Sequence, residues 1–479
     1  MQNLNLIDGR WCPALHGGQL AVTDPATDEV LTHVPNGGAD DARAAIAAAA
    51  AALPAWRDRT AAERARPLRR LAELMLERAD ALATLMTREQ GKPLAEARGE
   101  IAYAASFIEW AAEEAKRIYG ETVPASHPDK RILVLRQPVG VTACITPWNF
   151  PAAMITRKLG PALAAGCTMV VKPAAQTPLS ALALGELAIE AGIPAGVVNI
   201  VTGDARAIGG AIFDAPVVRK VSFTGSTEVG QQLMVQAAQH VTRLSLELGG
   251  HAPFLVFDDA DLDAAVRGAM ATKFRNSGQT CICANRFFVQ AGVHDAFVAR
   301  LSAAVADLRL GHGLDDDVTV GPLIDDAAMA KVADHVDDAR RKGARLVIGG
   351  AAATPRPGLT ARFFQPTILD GFTDQMKVCH EETFGPVAPV RRFTTEDEAI
   401  ALANASPFGL AAYFYTRDAS RLMRVAERLE YGIVGANDGA PSTAQAPFGG
   451  VKASGFGREG GRYVMHEYLD IKYVSWGLG

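Results

Sequence analysis

Apolar residues between positions 40 and 119 recur at the spacing of a helix. This region is rich in Ala, Leu, Glu and Arg, and its larger apolar side chains often fall three or four residues apart. Such spacing places them on one face of an amphipathic helix. The sequence therefore predicts a helical region, whose apolar face includes Leu68, Leu71, Met75, Leu82, Leu85 and Met86.

Beyond residue 140 the pattern changes to short apolar runs that alternate with helical segments. The predicted strands are 141–147, 167–173, 196–203, 218–225 and 243–250. The predicted helices between them are 152–166, 180–192, 205–215 and 226–240, of which the first two end at Gly166 and Gly192. This alternation is typical of a doubly wound parallel sheet, which binds ligands at the carboxyl ends of its strands.

A second alternating series follows and predicts a second α/β domain, joined to the first near Gly249 and Gly250. Its predicted strands are 252–259, 285–290, 344–350, 386–393, 410–416 and 432–437. Two further segments, 131–140 and 468–479, alternate like strands but lack helical partners. We expect them to pair as a small extra sheet, whose exposed edge would suit an oligomer contact.

Length and composition narrow the class of protein. The 479 residues exceed one compact core, and 49% hydrophobic with 21% charged residues is typical of a globular protein. A formal net charge of -5 gives no electrostatic case for nucleic acid or an anionic membrane. The N-terminus shows no signal-peptide pattern, and the longest uncharged stretch, 137–156, contains prolines and polar residues. Six cysteines in so long a chain predict no disulfide framework and a reduced, cytoplasmic location.

Two glycine-rich stretches are candidates for phosphate binding. "GFGREG", 455–460, matches a dinucleotide fingerprint in its letters, but no strand precedes it and little chain follows it. We therefore reject it. "SFTGSTEVG", 222–230, ends a β-rich run and opens a helix, where backbone N–H groups attract phosphate. Gly225 and Ser226 have two open interpretations here, a phosphate site or a simple helix cap.

Cys281 and Cys283 stand one residue apart in "GQTCICANR". The other cysteines are scattered and no pair of histidines lies nearby, so we expect no zinc or other metal. A buried core cysteine and a nucleophile both remain possible, although the polar, turn-like "RNSGQT" before Cys281 favours an accessible position. A nucleophile needs a base and an oxyanion donor. Glu247 and Asn149 follow predicted strands and qualify, but each alone is equally typical of a structural acid or a turn.

These stretches resemble the aldehyde dehydrogenase superfamily, in order and along almost the whole chain. The matching segments are "EQGKPLAEARGEI", "TPWNFP", "VVKPAAQTP", "FTGSTEVG", "LELGG", "GQTC", "EETFGP" and "PFGGVKASGFGREG". The resemblance implies that an aldehyde is oxidised to its acid, with NAD or NADP, through a cysteine thiohemiacetal and a thioester. Cys281 is then the nucleophile, Asn149 and the Cys281 N–H form the oxyanion hole, and Glu247 is the general base that activates water.

The same resemblance implies the cofactor site and the domain plan. The family's dinucleotide-binding positions fall on Pro147, Trp148, Lys172, Ala175, Gly225, Ser226, Gly230, Glu382 and Phe384. A Rossmann-like NAD(P)-binding domain would comprise 1–119 and 140–248, and the catalytic domain 249–450. Residues 120–139 and 451–479 would form oligomerisation or bridging segments of a homodimer or homotetramer.

Within the superfamily, 150–174 and 273–290 look most like succinate-semialdehyde dehydrogenases. That subfamily holds the distal carboxylate of the substrate with two arginines and a serine, which match Arg157, Arg275 and Ser442. Paired guanidinium hydrogen bonds suit a carboxylate. "NDGAPSTAQAPFGG" departs from the subfamily pattern around Ser442, so a glutarate-semialdehyde or broad-range aldehyde dehydrogenase is the alternative. A non-redox cysteine hydrolase or acyl transferase is the alternative from another class.

Ala175 and Cys283 bear on the choice of cofactor and on a possible redox switch. Members that select NAD usually carry a glutamate where this chain has Ala175, and an acid there would repel a 2′-phosphate. Because Ala175 carries no charge and Lys172 is cationic, we expect NADP to be accepted. Cys283 is either a redox partner of Cys281, as in the subfamily, or a buried small residue.

Overall fold

A sheet of eight strands forms the first half of the molecule, and the computed structural model describes it within residues 2–478. Its middle five strands are parallel and correspond to the five predicted from the sequence. In spatial order the sheet contains Arg10–Cys12, Asn5–Ile7, Val198–Ile200, Thr168–Lys172, Val141–Ile145, Val218–Thr224, Arg243–Glu247 and Gly455–Phe456. The predicted parallel sheet is thus confirmed, with short antiparallel strands added at both edges.

Helices cover both faces of this sheet. The predicted helical region at 40–119 is confirmed, and five of its six apolar residues are buried, while Leu85 is half-buried. The helices of this half are Ala39–Arg57, Ala61–Glu77, Ala79–Gln90, Leu94–Glu114, Ala153–Ala165, Pro178–Glu190, Ala205–Phe213 and Thr227–Ala238. Gly166 ends its helix as predicted, since it adopts a left-handed φ of 98° that favours glycine.

The second sheet has seven strands, six of which match the predicted series. In spatial order they are Arg345–Ile348, Thr367–Asp370, Val387–Phe393, Ala284–Gln290, Ala252–Val256, Ala411–Tyr415 and Ile433–Ala436. Neighbouring strands are parallel except at the antiparallel edge strand Arg345–Ile348. The helices around it are Leu262–Lys273, His294–Ala306, Asp326–Arg341, Lys377–His380, Glu396–Asn404 and Ala419–Arg428.

The two orphan segments pair, as expected, in a three-stranded antiparallel sheet. Leu469–Gly477 lies beside Lys130–Pro138, which also pairs with Glu121–Val123. The outer strand Leu469–Gly477 leaves Ile471, Tyr473 and Trp476 more than half exposed.

Some short elements were not predicted. The sequence analysis missed the strands before residue 40 and the strand Thr367–Asp370, which are too short to show periodicity. The remaining strands are Gln19–Thr23 with Val30–Pro35, Ala352–Ala353 with Phe363–Phe364, and Phe408–Gly409 with Val451–Lys452. The 3-10 turns are Ala115–Arg117, Arg275–Gly278 and Arg462–Tyr468. In residues 2–478 no helix has the length and apolar character needed to cross a membrane.

Candidate active site

Cys281 lies where two cavities meet. One, of about 360 Å³, opens over the carboxyl ends of the first sheet and is closed on its other side by residues 382–384. The second, of about 250 Å³, lies between two helices of the first half and the loop at 442–448. Cys281 lines both. A thiol in this position can contact ligands from two sides.

The polar turn before Cys281 is itself buried, while the accessible position predicted for Cys281 is confirmed. Residues 276–280 are all buried and only Arg275 is exposed. Their polarity serves internal hydrogen bonds instead: Ser277 Oγ donates to Gly321 O at 2.8 Å, and Ile324 N donates to Gln279 Oε1 at 2.9 Å. Cys281 is nevertheless half-buried and reachable through the cavities.

The Cys281 thiol is protonated in this environment. Burial raises its pKa to about 12, with Arg157 opposing the shift and nearby carboxylates adding to it. A thiolate is the reactive form of cysteine. Nucleophilic chemistry at Cys281 therefore requires that a bound partner or a base favour loss of the proton.

Glu247 is a buried carboxyl group without a hydrogen-bond partner. It ends the strand Arg243–Glu247, is 2% exposed, and neither of its oxygens is hydrogen-bonded within residues 2–478. Burial, and then the nearby Glu459, raise its pKa well above the usual range. A Cβ on Gly449 would lie 2.8 Å from Glu247 Oε1, so glycine there leaves the carboxyl room. Its lack of a partner argues against a structural cap and suits a general base.

Asn149 follows the strand Val141–Ile145, and one hydrogen bond from its amide nitrogen orients its side chain. Asn149 Nδ2 donates to Gln279 O at 3.0 Å, while Oδ1 has no hydrogen-bond partner in the described chain. An amide nitrogen carries two N–H groups, so one donor remains. Asn149 and Cys281 line the same cavity, which is the arrangement an oxyanion hole needs.

The larger cavity gathers most of the predicted cofactor residues. They are Pro147, Trp148, Gly225, Ser226, Glu382 and Phe384. The Trp148 and Phe384 rings pack edge-to-face with centroids 5.6 Å apart. Glu382 Oε1 accepts from Gly250 N at 3.0 Å, and burial raises the pKa of the Glu382 carboxyl to about 7.

Three predicted cofactor residues lie outside the lining of this cavity. Lys172 ends the neighbouring strand Thr168–Lys172, and burial lowers its pKa to about 8. Ala175 is exposed just beyond it. Gly230 packs under the strand end, because a Cβ there would come 2.5 Å from Leu248 Cδ2. Gly230 therefore acts on the cavity by allowing close helix packing.

The residues around this cavity fit a dinucleotide. Ser226 Oγ caps the helix Thr227–Ala238 by accepting from Val229 N at 3.3 Å, so the cap interpretation is correct. The helix start still points toward the cavity that Gly225 and Ser226 line, and helix N-termini attract phosphate. The Glu382 carboxylate suits ribose hydroxyls, and the aromatic pair supplies an apolar wall.

The smaller cavity brings together Arg157, Arg275 and Ser442. Arg157 is 1% exposed, its guanidinium lies 3.7 Å from the centroid of the Phe448 ring, and its Nε is 2.9 Å from Glu459 Oε2. Its Nη2 has no hydrogen-bond partner among the described residues. The exposed Arg275 stacks 5.2 Å from the centroid of the Phe150 ring. This cavity therefore offers unpaired guanidinium donors near Cys281.

Comparison with known proteins decides the family. The model of the aldehyde dehydrogenase family matches residues 11–474. The chain belongs to the aldehyde dehydrogenase family. The resemblance seen in the motifs and the expected fold are thereby confirmed.

Relatives match over nearly the full chain. An NADP(+) succinate-semialdehyde dehydrogenase of Escherichia coli (strain K12) is 63% identical, covering 99% of this chain and 97% of that protein. A glutarate-semialdehyde dehydrogenase of Pseudomonas aeruginosa is 61% identical, covering 98% and 97%. The crystal structure of an NADP-dependent enzyme of Escherichia coli has a TM-score of 0.98 at 62% identity, covering 100% and 98%.

Cys283 lies in a different environment from Cys281. It is fully buried, its Sγ is 3.3 Å from Lys273 Nζ, and it donates to Lys273 O at 3.4 Å. Burial raises the pKa of the Cys283 thiol despite the adjacent lysine. All six cysteines are free thiols. In this state of the aldehyde dehydrogenase, Cys283 is a buried, hydrogen-bonded residue, and its redox pairing with Cys281 stays a prediction.

Sequence analysis missed the charged group behind Glu247. Glu459 is buried, forms ion pairs with Arg157 and Lys158, and belongs to the rejected "GFGREG" motif. Gly455 and Phe456 of that motif pair with Glu247 and Leu246, and the motif does not line the cofactor cavity. The sequence signal that could have identified Glu459 is a single acidic residue among the glycines of "GFGREGG", 455–461. No metal-like group of three or more His, Cys, Asp or Glu was found in residues 2–478.

Proposed function

We propose that this aldehyde dehydrogenase oxidises succinate semialdehyde to succinate and accepts NADP, with NAD as an alternative hydride acceptor. One observation carries the choice of substrate: Arg157, buried in the same cavity as Cys281, keeps Nη2 without a partner in the described chain. Although Glu459 pairs with Arg157 Nε, a buried guanidinium N–H group without an acceptor is costly, and a substrate anion would satisfy it. The distal carboxylate of a short semialdehyde supplies that anion, and Arg275 gives a second cation at the cavity.

The first chemical step is addition of the Cys281 thiolate to the aldehyde, after the thiol has released its proton to solvent. Cys281 Sγ bonds to the carbonyl carbon, and the oxygen becomes an oxyanion held by the second N–H of the Asn149 amide and the Cys281 backbone N–H. Fixed donors in a site that excludes water stabilise such charge more than water does. A nicotinamide dinucleotide held by Trp148, Ser226 and Glu382 would supply a cationic ring that favours the thiolate and would be the hydride acceptor needed for the thiohemiacetal on Cys281 to become a thioester.

Glu247 completes the reaction. Once ionised, the Glu247 carboxylate can take a proton from a water molecule, because its raised pKa makes it a stronger base than an ordinary carboxylate, and the resulting hydroxide attacks the thioester carbon. The thiolate of Cys281 leaves and the acid is released. Because Glu247 has no hydrogen-bond partner within residues 2–478, its oxygens are available to that water.

The cofactor part of the proposal rests on the chain around Lys172. Ala175 is exposed and uncharged where an acid would repel the 2′-phosphate of NADP. Lys172, nearby at the end of its strand, adds positive charge. The named NADP(+) specificity of the Escherichia coli relative supports this choice.

Glutarate semialdehyde is the second candidate. Arg275 lines the cavity, is exposed and packs against the Phe150 ring, and its long side chain would also reach the carboxylate of a longer aldehyde. Ser442 Oγ is hydrogen-bonded to the Tyr103 hydroxyl, and by accepting from Tyr103 it would keep its own O–H group to donate to a substrate carboxylate. The Pseudomonas aeruginosa relative, named for glutarate semialdehyde, supports this candidate.

The domain plan and assembly belong to the same proposal. We assign cofactor binding to 1–119 and 140–248, catalysis to 249–450, and oligomer contacts to 120–139 and 451–479. The exposed edge of Leu469–Gly477, with Ile471, Tyr473 and Trp476, supports a homodimer or homotetramer. Six free cysteines support a reducing, cytoplasmic setting.

The test measures initial rates of nicotinamide reduction. Succinate semialdehyde, glutarate semialdehyde and uncharged butyraldehyde are compared, each with NADP and with NAD. We expect the semialdehydes to be preferred to butyraldehyde. Arg275→Gln should raise the KM of the semialdehydes by about 10- to 100-fold, because it removes one charged hydrogen bond to their carboxylate. The KM for butyraldehyde, which has no carboxylate, should be the same in Arg275→Gln as in the parent protein.

Arg267→Gln is the matched control, since Arg267 is exposed on the helix Leu262–Lys273 and does not line the cavity. Equal efficiency with butyraldehyde in the parent protein would refute the carboxylate site. A NADP efficiency roughly 100-fold below that with NAD would refute the cofactor choice.

A further inference from the structure

The segment "EQGKPLAEARGE", residues 89–100, has no role in the chemistry described so far, yet it buries charge beside the active site. Lys92 is 1% exposed. Its Nζ pairs with Glu100 and donates to Asn149 O at 2.8 Å. Glu100 in turn accepts from Ala152 N at 3.0 Å, at the start of the helix that carries Arg157. Burying an ion pair is expensive, so its retention at this place calls for a function.

Asn276 makes a second set of bonds to the same point. Its Nδ2 donates to Asn149 O at 2.9 Å, and its Oδ1 accepts from Gln90 Nε2 at 3.0 Å. Its backbone N donates to Glu96 Oε2 at 2.7 Å. Asn276 has a φ of 52°, a left-handed conformation that costs energy for residues other than glycine.

These bonds join two segments that come from different sheets. Asn149 follows a strand of the first sheet, and Asn276 and Gln279 precede Cys281 in the second half of the chain. Asn149 Nδ2 donates to Gln279 O, so the amide is also oriented from the cysteine side. The two proposed oxyanion donors, the Asn149 amide and the Cys281 N–H, lie on these two segments.

We infer that Lys92 and Asn276 are positioning residues that hold the Asn149 amide at the correct distance from the Cys281 backbone N–H. The inference rests on the proposed role of Asn149. Both residues bind the peptide oxygen of Asn149, so they fix the backbone from which the amide projects. Oxyanion stabilisation depends on donor geometry, and a shift of about 1 Å in a reacting group can cost roughly 100-fold in rate.

Asn276→Gly is the first test, because glycine keeps the left-handed turn and removes only the amide. We expect kcat to fall by about 10- to 100-fold with little change in the KM of aldehyde or cofactor. Ser277→Gly is the matched control: Ser277 lies in the same turn, with φ 55°, but bonds Gly321 O, away from Asn149. A kcat loss in Ser277→Gly equal to that in Asn276→Gly would overturn the inference.

A double-mutant cycle separates positioning from general damage. If Asn276 acts through Asn149, then adding Asn276→Gly to Asn149→Ala should lower kcat by less than about threefold further. Independent, multiplying effects would overturn the inference. Lys92→Met provides a second variant should the Asn276→Gly protein fail to fold. Its kcat is measured in the parent protein and in Asn149→Ala, and thermal unfolding checks that each protein is folded.

The same cycle distinguishes failure of the inference from failure of the proposed function. If kcat of Asn149→Ala fell by less than about tenfold, Asn149 would not belong to the oxyanion hole. Both the proposed mechanism and the positioning inference would then lose their basis. A large loss in Asn149→Ala with none in Asn276→Gly would leave the proposed function intact and overturn the positioning role.

Discussion

The two cavities that meet at Cys281 are built differently. On the cofactor side much of the lining comes from residues that follow strand ends, such as Trp148, Gly225 and Leu248, together with the turn that carries Glu382. On the substrate side the specific groups are side chains, Arg157 from a helix and Arg275 from a turn. Backbone geometry is shared by proteins with the same fold, whereas side-chain identity is not. We therefore expect aldehyde choice to change without loss of cofactor binding.

Asn149→Ala should produce the largest effect, because Asn149 serves the reacting atoms where the two cavities meet. Removing one oxyanion donor costs roughly 100- to 1,000-fold in kcat. The KM values of aldehyde and cofactor should change little, since the amide acts on charge that develops during the reaction. Steady-state kinetics with both substrates varied checks this. A rise in KM with normal kcat would instead make Asn149 a binding residue of one cavity.

Glu382→Gln should affect the cofactor side alone, raising the cofactor KM by about tenfold through loss of charged acceptors for hydroxyl groups. The aldehyde KM should stay constant, the reverse of Arg275→Gln. The pKa of Glu382 is raised to about 7, so the carboxylate is present above that pH and is lost by protonation below it. The cofactor KM of the parent protein should thus rise by about tenfold in total as the pH falls through 7, and level off near the value of the Glu382→Gln variant.

The Glu382→Gln protein is the control for this pH dependence, since its amide does not titrate. If the cofactor KM of the variant followed the same pH curve as the parent, another group would be responsible and Glu382 would lose the assigned role.

Gly230→Ala should have the smallest effect and act through packing. The new Cβ would come 2.5 Å from Leu248, which itself lines the cofactor cavity, so we expect a loss of about 1–3 kcal/mol in stability. The cofactor KM should rise a few-fold and the aldehyde KM should not. Gly209→Ala is the control: Gly209 is helical, and apart from its chain neighbours and the backbone of its own helix, no atom of residues 2–478 lies within 4 Å of its Cβ position. Thermal unfolding of both variants provides the comparison, and an equal drop in Tm would contradict the packing argument.

The sequence predicted what local pattern can determine. The five parallel strands, the stop at Gly166 and the strand-end positions of Asn149 and Glu247 all follow from short stretches of chain. The strand–turn–helix pattern by itself pointed only to Gly225 and Ser226, and left a phosphate site and a helix cap both open; the nine cofactor positions came from the resemblance to the family. Six of the nine predicted cofactor residues line the cofactor cavity.

Long-range contacts were beyond local pattern. Nothing in "RNSGQT" shows that its polar side chains are buried and bonded to 321–324. Glu459 lies more than 200 residues from Glu247 in the chain, and only the antiparallel pairing of Gly455 with Glu247 brings it near. Lys92 likewise became significant only when the fold placed it against Asn149.

The central claim is that Cys281 passes through a thioester, formed with the cofactor on one side and hydrolysed by Glu247. Rapid-mixing measurement of nicotinamide reduction by Glu247→Gln tests it directly. We expect a burst of reduced cofactor equal to the active-site concentration, followed by a steady rate lowered by roughly 100-fold or more. A steady rate equal to that of the parent protein, or a slow rate without any burst, would contradict this account of Glu247 and the thioester.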